Sequence, residues 1–307
     1  MEQPPTDKGF QRTLIAVHRA PTDETLRAYA ALLARNGMIR DLRLLHVLPE
    51  PDASKSTPGF GSVMAEMKSA TARHFTDLPT GVQLRYEVRQ GPLIDGLLEY
   101  AAEQQVDLVM VGNRKDHPLR RSLARRLAMK APCSVWLVPE GSPVSLSHIL
   151  VPIDFSARAA DALSVACVLA AQAKVGEIAA LHVYFDEART TYDHADDVVR
   201  GREADTFKRF LAPINTFGVR VLPLFESGSH PAHTIARLAV EKSADLIVLN
   251  TRGRSASAAV LLGSVAEETL IESSVPVLVI KHFGARLGVL QALLDRTFRR
   301  GSGVQFD

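Results

Sequence analysis

The sequence predicts an α/β fold of two tandem, doubly wound domains, each built on a five-stranded parallel sheet, with an amphipathic helix at the carboxyl end. Two observations predict it. The first is an internal repeat: Leu14–His18 matches Leu150–Asp154, and Leu45–Val47 matches Leu181–Val183, both at an offset of 136 residues. The second is the alternation of short β-branched runs with stretches of helical period, which is typical of βαβ units.

Within each repeat, five apolar runs of strand length follow one another in the same order. The first repeat predicts strands at 12–18, 42–48, 82–88, 107–112 and 134–139, and the second at 147–154, 178–184, 219–226, 245–250 and 276–281. Helices are expected between the strands. The first helix of the second repeat runs from Ser156 to about Ala173, and Ser156 is suited to cap its exposed amide groups.

The repeat predicts a domain at 1–140, a second domain at 145–283, and a carboxyl-terminal helix and tail at 284–307. Because the join Glu140–Pro143 is short and turn-rich, we expect the two domains to sit against each other. The final amphipathic stretch, Ala285–Arg300, leaves two readings open. It packs on its own domain, or it serves as a partner-binding or dimer helix.

Composition excludes several classes of protein. Of 307 residues, 46% are hydrophobic and 23% charged, as in ordinary globular proteins, and the formal net charge of +2 gives no global field to gather nucleic acid or acidic membrane. Two cysteines are too few for a disulfide framework. The amino terminus lacks the pattern of a signal peptide, and no segment has the length of a membrane span, so a cytoplasmic protein is expected.

The winding of the sheet places ligands beyond the carboxyl ends of the first and fourth strands of a domain. In the second repeat, the fourth strand leads to Gly253, and Gly263-Ser264-Val265 opens a helix. The two glycines permit close backbone approach and positive φ, while the amides of 264–266 and the Ser264 hydroxyl would face an oligophosphate. The structural alternative for the two glycines is simple turn chemistry. Asp154, at the end of the first strand of this repeat, is either a ligand-binding residue or a helix-capping carboxylate next to Ser156.

The strand ending Val151–Asp154 and the spacing of Asn250, Gly253, Gly263 and Ser264 resemble the universal stress protein family, and the whole chain resembles its tandem form. The resemblance implies an adenine nucleotide α-hydrolase-like fold that binds ATP, with Mg²⁺ bridging the phosphates. It places Asp154 at the base of the adenine pocket and the Val183 backbone at the adenine edge. It also implies that the last strands of the two domains pair, as a pseudo-dimer within the chain. A homodimer of the whole chain stays an open alternative.

By the same resemblance, Gly253, Gly263, Ser264 and Val265 would hold the phosphates, and Arg252 would add charge from the loop. Asn250 stands where the family usually has its first glycine, so its side chain would border the ribose. Asparagine is the non-glycine residue that best tolerates a left-handed backbone, so the turn can still form.

The first repeat departs much further from this pattern. His18 replaces the aspartate, Lys115 stands at the position of Gly253, and Arg121 stands at that of Gly263, while Gly112 and Ser122 survive. Arginine at a position suited to glycine strains the backbone and fills the phosphate space. We therefore expect the first site to be empty of ATP.

Other polar clusters carry weaker signals. The basic stretch Arg114–Arg126 is a solvated helix face with local salt bridges, or an anion-binding patch; nucleic acid is not expected there, because no aromatic residues are interleaved. His230 and His233 share a helix face, but no carboxylate or cysteine accompanies them in sequence. His46 and His182 are expected to be satisfied core histidines.

The preferred hypothesis is an ATP-binding regulator or sensor in stress adaptation that acts through an unidentified protein partner. Weak ATP hydrolysis or adenylyl transfer is the enzymatic alternative, although no positioned general base is evident. The third hypothesis is a structural interaction module in which both sites are defunct. Neither a P-loop lysine motif nor a nucleophile elbow occurs in the sequence.

Overall fold

The computed structural model describes residues 10–18, 20–50, 59–113, 120–185, 195–251 and 262–281, and it does not describe the side chains of 120–123 and 195–200. The strands of this part of the chain are β1 (Phe10–Ala16), β2 (Ile39–Leu48), β3 (Gln83–Gln90), β4 (Leu108–Asn113), β5 (Ser134–Pro139), β6 (Ile149–Pro152), β7 (Glu177–Tyr184), β8 (Arg220–Ser227), β9 (Leu246–Asn250) and β10 (Val277–Ile280). The helices are α1 (Thr22–Arg35), α2 (Phe60–Ala72), α3 (Leu93–Glu103), α4 (Arg120–Lys130), α5 (Ala157–Gln172), α6 (Ala195–Leu211), α7 (Pro231–Glu241) and α8 (Ser264–Glu272).

All ten strands belong to one sheet, in the order β3-β2-β1-β4-β5-β10-β9-β6-β7-β8. Within each half, β1–β5 or β6–β10, neighbouring strands are parallel. The halves meet where β5 and β10 pair antiparallel, with Leu278 opposite Trp136. The predicted fold class is therefore confirmed, and the last strands of the two halves do pair.

The core lies on both faces of this sheet, because helices cover both sides of each parallel half. The central strands carry almost continuous apolar runs, and every residue of β5 is buried. One core cluster includes Trp136 and Leu278, and the other includes Val135, Val277 and residues of α4 and α8. Each cluster runs through both halves of the molecule.

The predicted strands lie within three residues of the observed ones at each end, and β6 is shorter than predicted at both ends. This strand ends at Pro152, two residues before the predicted end, because the chain turns sharply at Phe155 to enter α5. Ser156 caps α5 as expected, and its Oγ accepts a hydrogen bond from Ala159 N at 3.1 Å.

The join between the halves is tied to both of them. In the first half, the Tyr29 hydroxyl donates to the backbone carbonyl of Pro143, and its ring centroid lies 5.7 Å from that of Trp136. In the second half, Asp245 Oδ2 accepts from Ser147 N at 2.8 Å and from His148 N at 3.0 Å. These bonds tie the connecting segment to both halves.

No helix among the described residues is both long enough and apolar enough to cross a bilayer. The predicted carboxyl-terminal helix, 284–307, lies outside the described residues.

Candidate functional site

The strand order places the topological switch point of the second half, where doubly wound sheets bind ligands, at the carboxyl ends of β6 and β9. We call the space beyond these ends the cleft. β6 lies between β9 and β7, so the winding direction of the second half reverses there. The helix that follows β6, α5, packs with one core cluster, while Leu270 of α8 belongs to the other. The two helices therefore start on opposite faces of the sheet and border the cleft.

Asp154 lies in the turn that leads from β6 into α5. Its Oδ1 accepts hydrogen bonds from Ser156 N at 3.1 Å and from Ser156 Oγ at 2.5 Å, while Ser156 Oγ caps the helix. The carboxylate therefore supports the helix cap, which is the structural alternative that the sequence left open. The same contacts fix Asp154 at the mouth of the cleft.

Phe155 has a left-handed backbone, with φ of +61°. This conformation costs an aromatic residue about 1 kcal/mol or more, so the surrounding contacts must hold it. The centroid of the Phe155 ring lies 4.4 Å from the centroid of the His182 ring and 5.6 Å from that of the Phe210 ring. This strained turn carries the chain from the end of β6 into α5, so β6 does not continue in the sheet beyond Ile153.

His182 anchors the end of β6 from the neighbouring strand. Its Nδ1 lies 2.9 Å from the backbone oxygen of Ile153, and because a carbonyl can only accept, this ring nitrogen donates. His46 forms the equivalent bond to Val17 O at 2.8 Å in the first half. Both histidines are thus satisfied, although His182 is only partly buried and its Nε2 lies 3.5 Å from Glu203 Oε2.

The backbone of Val183 faces the opening beyond β6. Leu181 O accepts from Ile153 N at 2.8 Å, so the backbone of Leu181 points towards β6, and that of Val183, two residues on, points the same way. β6 has ended at this level, and the Ile153 carbonyl accepts from His182 Nδ1. Val183 therefore presents an amide and a carbonyl towards the cleft, beside the Asp154 turn.

Asn250, the last residue of β9, is buried and connects β9 to α5. Its Nδ2 donates to the backbone oxygen of Arg158, in the first turn of α5, at 3.2 Å. The side chain expected to border the ribose is therefore committed to the start of this helix. Arg158 was not predicted as part of the site, since it lies 92 residues away in sequence.

The residues Gly263, Ser264 and Val265 form the start of α8, next to the end of β9. Gly263 N donates to Thr251 O at 2.6 Å, and Ser264 and Val265 are exposed in the first helical turn. Gly263 does not use the positive φ that glycine permits: its φ is −76° and its ψ 151°, an extended N-cap conformation open to any residue. Arg252 and Gly253 lie outside the described residues.

The equivalent turn of the first half is built differently. The backbone amide of His18 donates to both carboxylate oxygens of Asp23, at 3.2 and 3.0 Å, so here the carboxylate that holds the turn comes from α1 itself. Burial and the neighbouring His46 lower the pKa of His18 to about 4. A neutral imidazole thus stands where the second half has Asp154. Lys115 and the side chains of Arg121 and Ser122 are outside the described residues.

A family model described as "Universal stress protein family" matches residues 9–139 and again 146–281. The chain belongs to the universal stress protein family. Its two matched segments make it a tandem form. The residues between them include Pro143, whose carbonyl accepts from Tyr29, and Ser145, whose Oγ donates to Asp245 Oδ2 at 2.7 Å.

Curated universal stress proteins are similar to parts of the chain. A protein of Methanocaldococcus jannaschii is 31% identical over 94 residues, which are 31% of this chain and only 55% of that protein. A protein of Bacillus subtilis is 31% identical over 148 residues, which are 44% of this chain and 99% of that protein.

Solved structures resemble the whole tandem chain. A universal stress protein from Archaeoglobus fulgidus aligns with a TM-score of 0.61 at 18% identity, covering 88% of this chain and 98% of that one. A functionally unknown protein from Pseudomonas aeruginosa aligns with a TM-score of 0.66 at 16% identity, covering 93% and 98%. At these identities the likeness shows the fold.

The basic stretch of the first half makes local ion pairs where it is described. Arg125 Nε lies 2.7 Å from Glu267 Oε1 of α8, and Arg126 Nη2 lies 3.7 Å from Asp95 Oδ1 of α3. These pairs agree with the reading of a solvated helix face. Residues 114–119 of the stretch lie outside the described part of the chain.

His230 and His233 stack at 5.6 Å between ring centroids, on the first turn of α7. Tertiary structure also brings them a carboxylate that the sequence did not reveal, because His233 Nε2 lies 3.0 Å from Glu272 Oε1, on α8. Across the described ranges, however, no group of three or more His, Cys, Asp or Glu side chains is arranged to hold a metal ion.

Proposed function

We propose that the second half of this universal stress protein binds ATP, and that the bound nucleotide sets the conformation or partner choice of a regulator in stress adaptation. The observation that carries the proposal is the Val183 backbone at the open end of β6. The main-chain amide can donate a hydrogen bond and the neighbouring carbonyl can accept one. The edge of adenine carries the matching acceptor and donor. Asp154, fixed in the adjacent turn, would accept from the exocyclic amine.

The phosphates would lie at the start of α8. The backbone amides of Ser264, Val265 and Ala266 belong to the first helical turn, where no intrahelical acceptor precedes them and the helix dipole favours an anion. A hydrogen bond to a charged oxygen contributes about 1.5–3 kcal/mol, so a few of them support micromolar binding. Arg252 and Gly253 would complete this side of the site from the loop after β9.

Mg²⁺ would bind through the phosphates and water more than through the protein. Asp154, at the proposed adenine end, is used by the Ser156 cap. Since Mg²⁺ keeps several water ligands, phosphate oxygens suffice to hold it. The ion would supply charge neutralisation between the phosphates.

The proposal is for binding without turnover. Phosphoryl transfer needs a positioned water or a transition-state cation near the γ-phosphate. Arg125, which reaches α8 from the first half, is engaged through Nε in an ion pair with Glu267 at 2.7 Å. We therefore propose a regulator that acts through an unidentified protein partner, and no enzyme.

Replacement of Gly263 by arginine tests the proposal, because it places the side chain of the first half's Arg121 at the matching position of the second half. In Gly263→Arg, we expect ATP affinity measured by calorimetry to fall at least tenfold, since the guanidinium stem occupies the phosphate space. The extended φ of Gly263 accommodates the substitution without backbone strain.

Gly61→Arg is the matched control. Gly61 lies in α2 of the first half with open space around it, so this variant adds the same charge far from the cleft and should bind as wild type does. Equal ATP affinity in wild type and Gly263→Arg would overturn the proposal, as would the absence of binding heat in the wild type. Phosphate release during the titration would instead support the enzymatic alternative.

A further inference from the structure

A groove lies at the other end of the sheet from the nucleotide cleft, across the amino ends of β6, β7 and β8. Its volume is about 570 Å³, within the usual range for small-molecule sites. The residues on its floor are apolar and its rim is charged. We call this the basal groove and define it by Leu150, Ala179, Leu222, Lys242 and Arg220.

The floor of the basal groove is partly uncovered sheet, exposed at Ala179 and Leu222 beside the buried Leu150. Leu150, Ala179 and Leu222 lie side by side on adjacent strands, as the pairings Leu150–Ala179 and Ala179–Leu222 show. Ala179 and Leu222 are only partly buried, although both belong to the sheet face that α7 covers further along. The small side chain of Ala179, at the centre of the three, creates the depth.

The first half closes the same place with its own charged side chains. Arg43 stands at the position of Ala179, at the repeat offset of 136 residues, and it is buried. Its Nη2 lies 2.7 Å from Asp41 Oδ2, and its Nη1 donates to Oε1 of Gln104, the residue matched to Lys242. Arg85, opposite Arg43 in the sheet, pairs with Asp41 at 3.4 Å. The groove is therefore specific to the second half.

The rim of the basal groove has an excess of positive charge. Arg220 is neutralised by its ion pair with Glu177, and His148 Nδ1 lies 3.7 Å from Asp245 Oδ2. Lys242, at the C-cap of α7, makes no ion pair with any described residue. An occupant that complements the groove has an apolar body and one negative charge.

We propose that the basal groove binds a small amphipathic carboxylate, whose hydrocarbon part covers Ala179 and Leu222 and whose carboxylate pairs with Lys242. The apolar floor favours the hydrocarbon by removing its surface from water. Lys242 selects the charge of the head group. This site is separate from the nucleotide cleft, because it lies at the opposite ends of the same strands.

The test is a titration of the full-length protein with octanoate, followed by calorimetry or ligand-observed NMR, with octylammonium as the probe of opposite charge. We expect octanoate to bind and octylammonium to bind at least fivefold more weakly. Saturating ATP should leave octanoate affinity unchanged. No binding of octanoate, or equal binding of the two probes, would overturn the proposal.

Two variants locate the bound probe. Ala179→Arg fills the groove with the side chain that the first half buries at the same position, and we expect it to lower octanoate affinity at least tenfold. Lys242→Glu should weaken octanoate and strengthen octylammonium. Ala102→Arg, at an exposed position of α3 in the first half, is the matched control and should bind octanoate as wild type does. Unchanged octanoate affinity in both groove variants would refute the assignment.

Discussion

Gly112 and Asn250 occupy the same position in the two halves, at the end of the strand beside the nucleotide cleft or its first-half counterpart. A side chain at Gly112 would meet Thr22, because a Cβ built there lies 2.5 Å from Thr22 Oγ1 and 2.6 Å from Thr22 Cβ. In the second half, the residue matched to Thr22 is Arg158, and Asn250 bonds to its backbone oxygen. The first helix thus approaches the strand end in two ways.

We expect Gly112→Ala to lower the free energy of unfolding by about 1–3 kcal/mol, because neither Thr22 Cβ nor the backbone of α1 can move aside cheaply. Chemical denaturation measures the difference. Gly61→Ala is the control: it lies in α2 with open space around it, and alanine there should raise stability by about 0.5–1 kcal/mol. Wild-type stability in Gly112→Ala would contradict the close approach of Thr22.

The lowered pKa of His18 predicts a loss of stability in mild acid. Its pKa falls from 6.5 to about 4 in the folded protein, so between these values the unfolded chain binds more protons than the folded one. The free energy of unfolding therefore decreases as pH falls through this window, by about 2 kcal/mol between pH 6.5 and 4.5 from this group alone.

His18→Gln removes this titration while keeping a polar side chain. We expect its stability, followed by urea denaturation at pH 7, 5.5 and 4.5, to fall less steeply with acid than that of wild type. Parallel pH profiles of the two proteins would show that His18 is protonated as easily in the folded state as in the unfolded one.

At the scale of elements, α4 and α8 are the matching helices of the two halves, and they meet across the junction. Arg125 and Glu267 are themselves matching positions, at the offset of 142 residues that also relates Trp136 to Leu278. A pair of identical halves would place like charges here. The tandem chain places an arginine against a glutamate, at 2.7 Å.

Charge reversal tests whether this contact favours the pairing of unlike halves. Glu267→Arg leaves two guanidinium groups in contact and should lower the free energy of unfolding by up to about 1 kcal/mol, since the pair is partly exposed. The double variant Arg125→Glu/Glu267→Arg should recover most of that loss. Losses that simply add in the double variant would show that the two side chains do not interact.

At the scale of the whole molecule, the two halves are related by a local twofold axis through the sheet. β5 and β10 pair about the Trp136–Leu278 pair, whose members are matching residues, and the flanking pairs Val135–Val279 and Leu137–Val277 are related by the same operation. One large and one medium side chain meet at the centre. Two tryptophans would overfill this core and two leucines would underfill it.

Both the charges and the core at this junction therefore favour the pairing of two unlike halves. The tandem chain contains one half of each kind. The asymmetry extends to both ends of the sheet. At the carboxyl ends of the strands, His18 of the first half is the residue matched to Asp154 of the second. At the amino ends, Arg43 is the residue matched to Ala179. Arg43 fills the amino-end position of the first half, and at the carboxyl ends a neutral His18 replaces the carboxylate, so both proposed ligand sites lie in the second half.

The sequence by itself determined the repeat, the order of strands and helices, the cap at Ser156 and the family, because each is written in local periodicity or in a motif of close residues. The tertiary structure alone decided where Asn250 directs its amide, that Gly263 is extended, that His233 meets Glu272 and that the amino ends of β6–β8 form a groove. These features depend on residues tens of positions apart that only folding brings within reach. Side-chain direction and empty volume follow from that packing, and no local pattern encodes them.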